Sequence, residues 1–230
     1  MKNSVAPIGS DDGETRKALV NNRVGVFGWR VLVIILGVTG VFIGVNGWSG
    51  LLARLTYFTI QSNALVIICL AFCVGAMLRR TASPSPFIKG AVTCYIAITG
   101  LVYNLILARV LTPEQLAMAN PLMNMLLHRI VPAMAVIDWL LFDRHGRLNW
   151  GDAVVWLVYP VAYLLFALVR GAMIGAGWLT AVPKYPYPFL DVDKLGYGGI
   201  AVNFVVYGGG FLVLGLAIVW VDRRLGRVHR

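Results

Sequence analysis

Apolar residues fall into six runs, at roughly 27–47, 57–77, 88–110, 121–142, 153–174 and 200–221, separated by short polar or proline-bearing connections. A helix needs about 20 mostly apolar residues to cross a bilayer, and each run meets that length. The breakers fit six helices. Gly47-Trp48-Ser49-Gly50 ends the first run, and Arg79 to Pro86 makes a basic, proline-rich turn. Thr112-Pro113-Glu114 reads as a helix start with Pro113 at the tolerated first position. Asp143 to Arg147 is a short polar turn, and the longest connection, 175–199, carries Pro183, Pro186 and Pro188 among aromatics. The pattern predicts an all-α membrane protein: six transmembrane helices in one bundle, spanning residues 23–222. Residues 1–22 read as a disordered cytoplasmic tail and 223–230 as a basic cytoplasmic tail.

Composition narrows the class. Of 230 residues, 59% are hydrophobic and 13% charged, against roughly 45–50% and about 25% in soluble domains. The net charge of +10 does not imply nucleic acid, because the basic residues lie between the runs rather than on one soluble face. Thirteen Lys and Arg fall in the tails and in the second and fourth connections, and three (Arg54, Lys184, Lys194) in the others. By the positive-inside rule both termini are then cytoplasmic, in a multi-pass membrane protein. Cys69, Cys73 and Cys94 lie inside runs, where apolar packing is the expected role.

Polar residues inside the runs gather at one depth. Thr59, Ser62 and Asn63 of the second run, Asn104 of the third, Asn124, His128 and Arg129 of the fourth, Arg170 of the fifth and Asn203 of the sixth all belong to the outer half. Such residues are rare in hydrocarbon and mark interior cavities or functional sites. Helical spacing puts Thr59, Ser62 and Asn63 on one face, and Asn124 and His128 on one face. His128 is the only histidine within a run, so it is the natural base for a hydroxyl nucleophile, and Thr59 is the hydroxyl paired with it. Asn63, Ser62, Asn104, Asn124, Arg129, Arg170 and Asn203 are candidates for substrate or oxyanion binding, the two arginines for a carboxylate or phosphate. Plainer roles stand beside these: a threonine bonded to its own helix, asparagines that merely join helices, an Arg109 that snorkels. Asp138 lies nearer the inner end, with Arg144 as its expected counter-charge.

Three stretches taken together carry a resemblance: Tyr57-Phe58-Thr59-Ile60-Gln61-Ser62-Asn63, Asn124-Met125-Leu126-Leu127-His128-Arg129, and Tyr187-Pro188-Phe189-Leu190. With six spans, the chain resembles bacterial relatives of the androgen-induced and androgen-dependent membrane proteins, threonine hydrolases of fatty acid esters of hydroxy fatty acids. The resemblance implies a catalytic Thr59 and a catalytic His128, with Tyr187, Pro188 and Phe189 in a lid loop over the outer mouth of the cavity.

The expected function is therefore an intramembrane esterase acting on lipid esters, with membrane lipids as its surroundings and a lipid ester as its substrate. The alternative is a small multi-span transporter or a lipid- or anion-binding membrane protein without hydrolytic activity. No cofactor is expected: one intramembrane histidine cannot supply the bis-histidine ligation of haem. No metal is expected either, since Cys69 and Cys73 lack further ligands. Oligomeric state leaves no mark on the sequence.

Overall fold

The computed structural model describes residues 19, 22–45, 47–110, 120–177 and 183–228. These are all-helical, and six helices are long and apolar enough to cross a membrane. In chain order they are α1 (Arg23–Phe42), a short α2 (Gly47–Arg54), α3 (Phe58–Arg79), α4 (Pro86–Val110), α5 (Pro121–Phe142), α6 (Trp150–Gly175) and α7 (Val192–Val228).

Local chemistry sets most helix starts. The Asn22 side chain accepts from the Gly25 amide to begin α1, Ser85 accepts from Ile88 to begin α4, and Asn120 accepts from Met123 to begin α5. Pro86 and Pro121 occupy first-turn positions, where a missing N–H costs nothing. A reciprocal capping box between Asn149 and Asp152 opens α6.

Three boundaries differ from the hydropathy reading. The first span stops at Phe42, five residues early, and Gly47 begins a helix instead of ending one. The cause is Arg54 at the end of α2, whose guanidinium donates to the Val41, Ile43 and Gly44 carbonyls left open at the end of α1. At the other end of the chain, α7 begins at Val192 and breaks at Gly196 (φ 64°) before its spanning portion, a backbone conformation that glycine adopts without a side-chain penalty. Residues 223–228 continue α7, so most of the expected basic tail is helix. Of the expected tail at 1–22, residues 1–18, 20 and 21 lie outside the described residues, as does the helix start at Pro113.

Large apolar side chains such as Ile35, Phe72, Val154 and Val205 remain exposed on the outside of the bundle, as a lipid-facing surface requires. Inside, close helix approach depends on small residues. A Cβ on Gly40 would lie 2.6 Å from Leu127, one on Gly90 2.7 Å from Trp156, and one on Gly100 3.1 Å from Pro132.

The two ends of the bundle carry separate polar clusters. At the end shared by the starts of α1, α4 and α6, Arg30 donates to Asp138 at 2.9 Å and to Asp143 at 3.2 Å. Lys89 pairs with Asp143 and lies 3.8 Å from Asp138. Asp138 is thus neutralised by Arg30 and Lys89, whereas the expected partner Arg144 is exposed. Arg144 follows the end of α5 and reaches solvent; Arg30 and Lys89 sit beside Asp138 on packed helices, and a buried carboxylate takes the cations within reach. Close by, His145 Nδ1 faces Asp222 Oδ1 at 3.3 Å and its Nε2 faces the Leu140 carbonyl at 2.9 Å. Both partners are acceptors, so both ring nitrogens carry hydrogen and His145 is an imidazolium.

Candidate active site

At the opposite end of the bundle, three elements bring Thr59, His128 and Tyr187 together. Thr59 lies in the first turn of α3, a turn held rigidly by α6. Tyr163 donates its hydroxyl to the Thr56 carbonyl at 2.9 Å, and Tyr159 donates to Gln61 Oε1 at 2.7 Å. Thr59 Oγ1 is 3.2 Å from His128 Nε2 and 3.3 Å from the Tyr187 hydroxyl, which also accepts the Thr59 amide at 3.2 Å.

The protonation pattern follows from the partners. His128 Nδ1 lies 3.2 Å from the Asn124 carbonyl, which can only accept. Nδ1 therefore carries the hydrogen, and the Nε2 lone pair faces Thr59. The Thr59 hydroxyl donates to Nε2, leaving its oxygen free to accept from Tyr187. Donation runs Tyr187 to Thr59 to His128 to Asn124. Among the described residues, no carboxylate takes part.

The imidazole is held by its own helix and by α4. Tyr103 stacks on it, with ring centroids 4.0 Å apart and planes 21° from parallel, and the Asn124 amide donates to the Tyr103 hydroxyl. Both helices carry a π-helical turn here, Tyr103–Leu107 in α4 and Leu126–Ile130 in α5. Such turns free backbone carbonyls and are frequent at functional sites. Pro132 adds a second lesion, because it has no N–H for the His128 carbonyl one turn earlier. The Asn104 amide fills that gap, donating to the His128 carbonyl at 3.0 Å and to Gly100 at 2.8 Å. Asn63 does the same for α5, donating to Leu127 at 3.1 Å while also bonding Thr59's carbonyl at 2.8 Å.

These bonds redistribute the expected roles. Asn63 and Asn104 use their amide hydrogens on carbonyls and present none to a substrate. Ser62 is fully buried, bonded to the Thr59 carbonyl and to the Thr99 hydroxyl at 2.7 Å, away from the reacting oxygen. Arg129 is exposed and donates to Asn104 Oδ1 at 2.9 Å, on the outer surface of the bundle. Adjacent helical residues point about 100° apart, so His128 facing the interior turns Arg129 outward. Arg170 Nη1 donates to the Pro183 and Lys184 carbonyls at 3.1 and 2.8 Å, which fastens the 183–190 segment. Asn203 donates to the Phe189 carbonyl at 2.8 Å and fastens the other end of the same segment. Asn124 steadies the ring through its backbone and, by way of Tyr103, through its side chain.

The Tyr187-Pro188-Phe189 segment reaches Thr59 itself. Tyr187 stacks on Phe189 at 5.2 Å and packs edge-on against Tyr57 at 5.9 Å, with its hydroxyl at the nucleophile. Hydropathy gives no warning of this; three aromatics in a proline-rich loop read equally well as an interfacial belt. Tyr103 was similarly hidden, since its value lies in a ring face that only packing reveals.

Two cavities meet at Thr59 and Tyr187. One, of about 320 Å³, runs between α4, α6 and α7 and is walled by apolar groups such as Ile98, Leu164, Phe204 and Leu212. The other, of about 530 Å³, is lined by His128, Asn124 and Tyr103 and reaches Arg54, Asp191 and Lys194 at the end of the bundle. Comparisons with protein-family models, with curated proteins and with solved structures found no match.

Proposed function

We propose that this protein is an intramembrane esterase that cleaves lipid esters with Thr59 as nucleophile and His128 as base. The observation that carries the reading is the hydroxyl-to-imidazole contact of 3.2 Å, with the ring tautomer set by the Asn124 carbonyl. A hydroxyl so placed has its proton acceptor already aligned. The resemblance to the androgen-induced membrane protein family supports the same pair and suggests fatty acid esters of hydroxy fatty acids as substrates. The thirteen-to-three excess of Lys and Arg supports cytoplasmic termini and an outward-facing site, and the resemblance to bacterial relatives of that family suggests the bacterial inner membrane.

In this reading an acyl chain lies in the apolar cavity between α4, α6 and α7, and its ester carbonyl rests beside Thr59. Thr59 Oγ1 attacks the carbonyl carbon as its proton passes to His128 Nε2. The carbonyl oxygen becomes the oxyanion, and the Tyr187 hydroxyl turns to donate to it. Collapse breaks the bond to the alcohol oxygen, which takes the proton from His128 and leaves through the polar cavity. Water from that side then attacks the acyl-threonine as its proton passes to His128; collapse breaks the bond to Thr59 Oγ1, which takes that proton back from His128, and the acid leaves. The imidazolium formed on the way is stabilised by the Asn124 carbonyl and by the face of Tyr103, a weaker support than a carboxylate, so turnover is slow.

The test is active-site labelling combined with turnover. A fluorophosphonate should add one mass increment to the protein at Thr59, and a long-chain fluorogenic ester should be hydrolysed. Thr59→Ala should lose both, and His128→Ala should lower the rate by roughly 10²–10⁴-fold. Undiminished turnover in a folded Thr59→Ala protein would remove the nucleophile. Retention of lipid without turnover would favour a binding or transport role.

A further inference from the structure

We propose that the cavity at the Arg30 end of the bundle binds a phosphate group, carried either by an anionic phospholipid or by a small soluble phosphate. This site is separate from Thr59 and does not depend on the esterase reading. The cavity holds about 610 Å³ between the 81–85 connection, the start of α4, the end of α5 and the 143–148 turn. Arg30, Lys89, Arg144 and Arg147 line it, with Asp143 and Asp222.

The carboxylates here are already engaged. Asp138 and Asp143 are matched by Arg30 and Lys89. Asp222 is bonded to the His145 imidazolium and accepts the Arg147 and Leu148 amides, each at 2.8 Å. Five cationic groups thus face three carboxylates, and the surplus of two resides on Arg144 and Arg147. Neither guanidinium makes an ion pair among the described residues. Both side chains are exposed at the cavity edge, free to close on a ligand.

The remaining wall suits an oxyanion as well. Thr81, Ser83 and Ser85 bring hydroxyls to it. Ser85 caps α4 with its oxygen, so its own hydrogen is left to donate, and it stands at the positive end of the α4 dipole. Arginine pairs bind phosphate through two parallel N–H bonds, a geometry that lysine lacks. Trp139, Phe142 and Leu148 supply an apolar side, and the cavity lies where the spanning helices end, at the depth of lipid headgroups. A phospholipid satisfies all of these features at once.

The experiment compares thermal unfolding of the full chain in neutral detergent with phosphatidylglycerol, with inorganic phosphate, or with neither. Phosphatidylglycerol in about hundred-fold excess over its Kd should raise Tm by roughly 5 °C or more. Arg144→Gln/Arg147→Gln should abolish that rise, and so should Ser83→Asp, which places a carboxylate in the cavity. Arg224→Gln/Arg227→Gln, which removes two exposed cations that do not line the cavity, should keep the rise. A shift with inorganic phosphate that shows the same variant dependence identifies a soluble phosphate as the ligand; a shift confined to phosphatidylglycerol identifies the lipid. The absence of any shift, or equal loss in both arginine pairs, would overturn the proposal, the latter showing diffuse surface charge.

Discussion

Asp138 offers the sharpest test of how this bundle is held together. Its side chain is 2% exposed and that of Arg30 is 5% exposed. With Lys89 and Asp143 they form a buried group of two cations and two carboxylates, formally neutral. Replacing Asp138 with Leu leaves Arg30 and Lys89 with a single carboxylate between them, and so leaves one positive charge uncompensated in a low-dielectric interior. Breaking a buried pair in this way costs about 3–5 kcal/mol, or roughly two to nearly four powers of ten in the folding equilibrium. Replacing both partners, Arg30→Met with Asp138→Leu, restores neutrality, because Lys89 and Asp143 remain matched. The double variant should therefore be more stable than Asp138→Leu alone, an inversion that additive packing losses cannot produce. Reversible unfolding of the purified protein by added SDS in mild detergent micelles, followed by tryptophan fluorescence, measures all three proteins. If Asp138→Leu costs less than about 1 kcal/mol, or the double variant is the less stable of the two, charge compensation is not what organises this end.

Further outcomes follow from the same structure. Tyr187→Phe removes the hydroxyl that contacts both Thr59 Oγ1 and the Thr59 amide; kcat for ester hydrolysis should fall by roughly 10²–10³, whereas an unchanged kcat would leave the ring with packing alone. Gly171→Ala drives a Cβ into the edge of the Tyr185 ring, so the 183–190 segment should lift and chymotrypsin should cut after Phe189 several-fold faster; an unaltered digestion rate would show that the segment is held elsewhere. For His145, burial pushes the pKa down, but hydrogen bonds to Asp222 and the Leu140 carbonyl, with the Asp222 charge, raise it above the ordinary value. A raised folded pKa gives a stabilisation fully present below about pH 6.5 and lost as pH rises through the folded value. Tm should thus decline as pH rises above about 6.5, and His145→Gln should flatten that decline; an equal decline in the variant would assign it to another group.

Hydropathy alone determined the six spans, because a chain cannot leave apolar runs of this length in water or leave backbone groups unpaired in lipid. It also placed one set of costly polar residues at the end that holds Thr59 and His128, which singled out that pair. Which of those residues face each other was decided by tertiary packing. Asn63, Asn104 and Arg170 look like ligand-binding groups in sequence but satisfy carbonyls opened by π-helical turns, by Pro132 and by the 183–190 segment. That distinction depends on rotation about the helix axis and on helix register, which shift a side chain from cavity to lipid at unchanged depth. The same holds for Tyr187, brought to Thr59 across 128 residues of chain, and for Arg30, whose charge is acceptable only because Asp138 comes from a helix 108 residues away. Composition can require that buried charges and carbonyls find partners; only the folded chain chooses which.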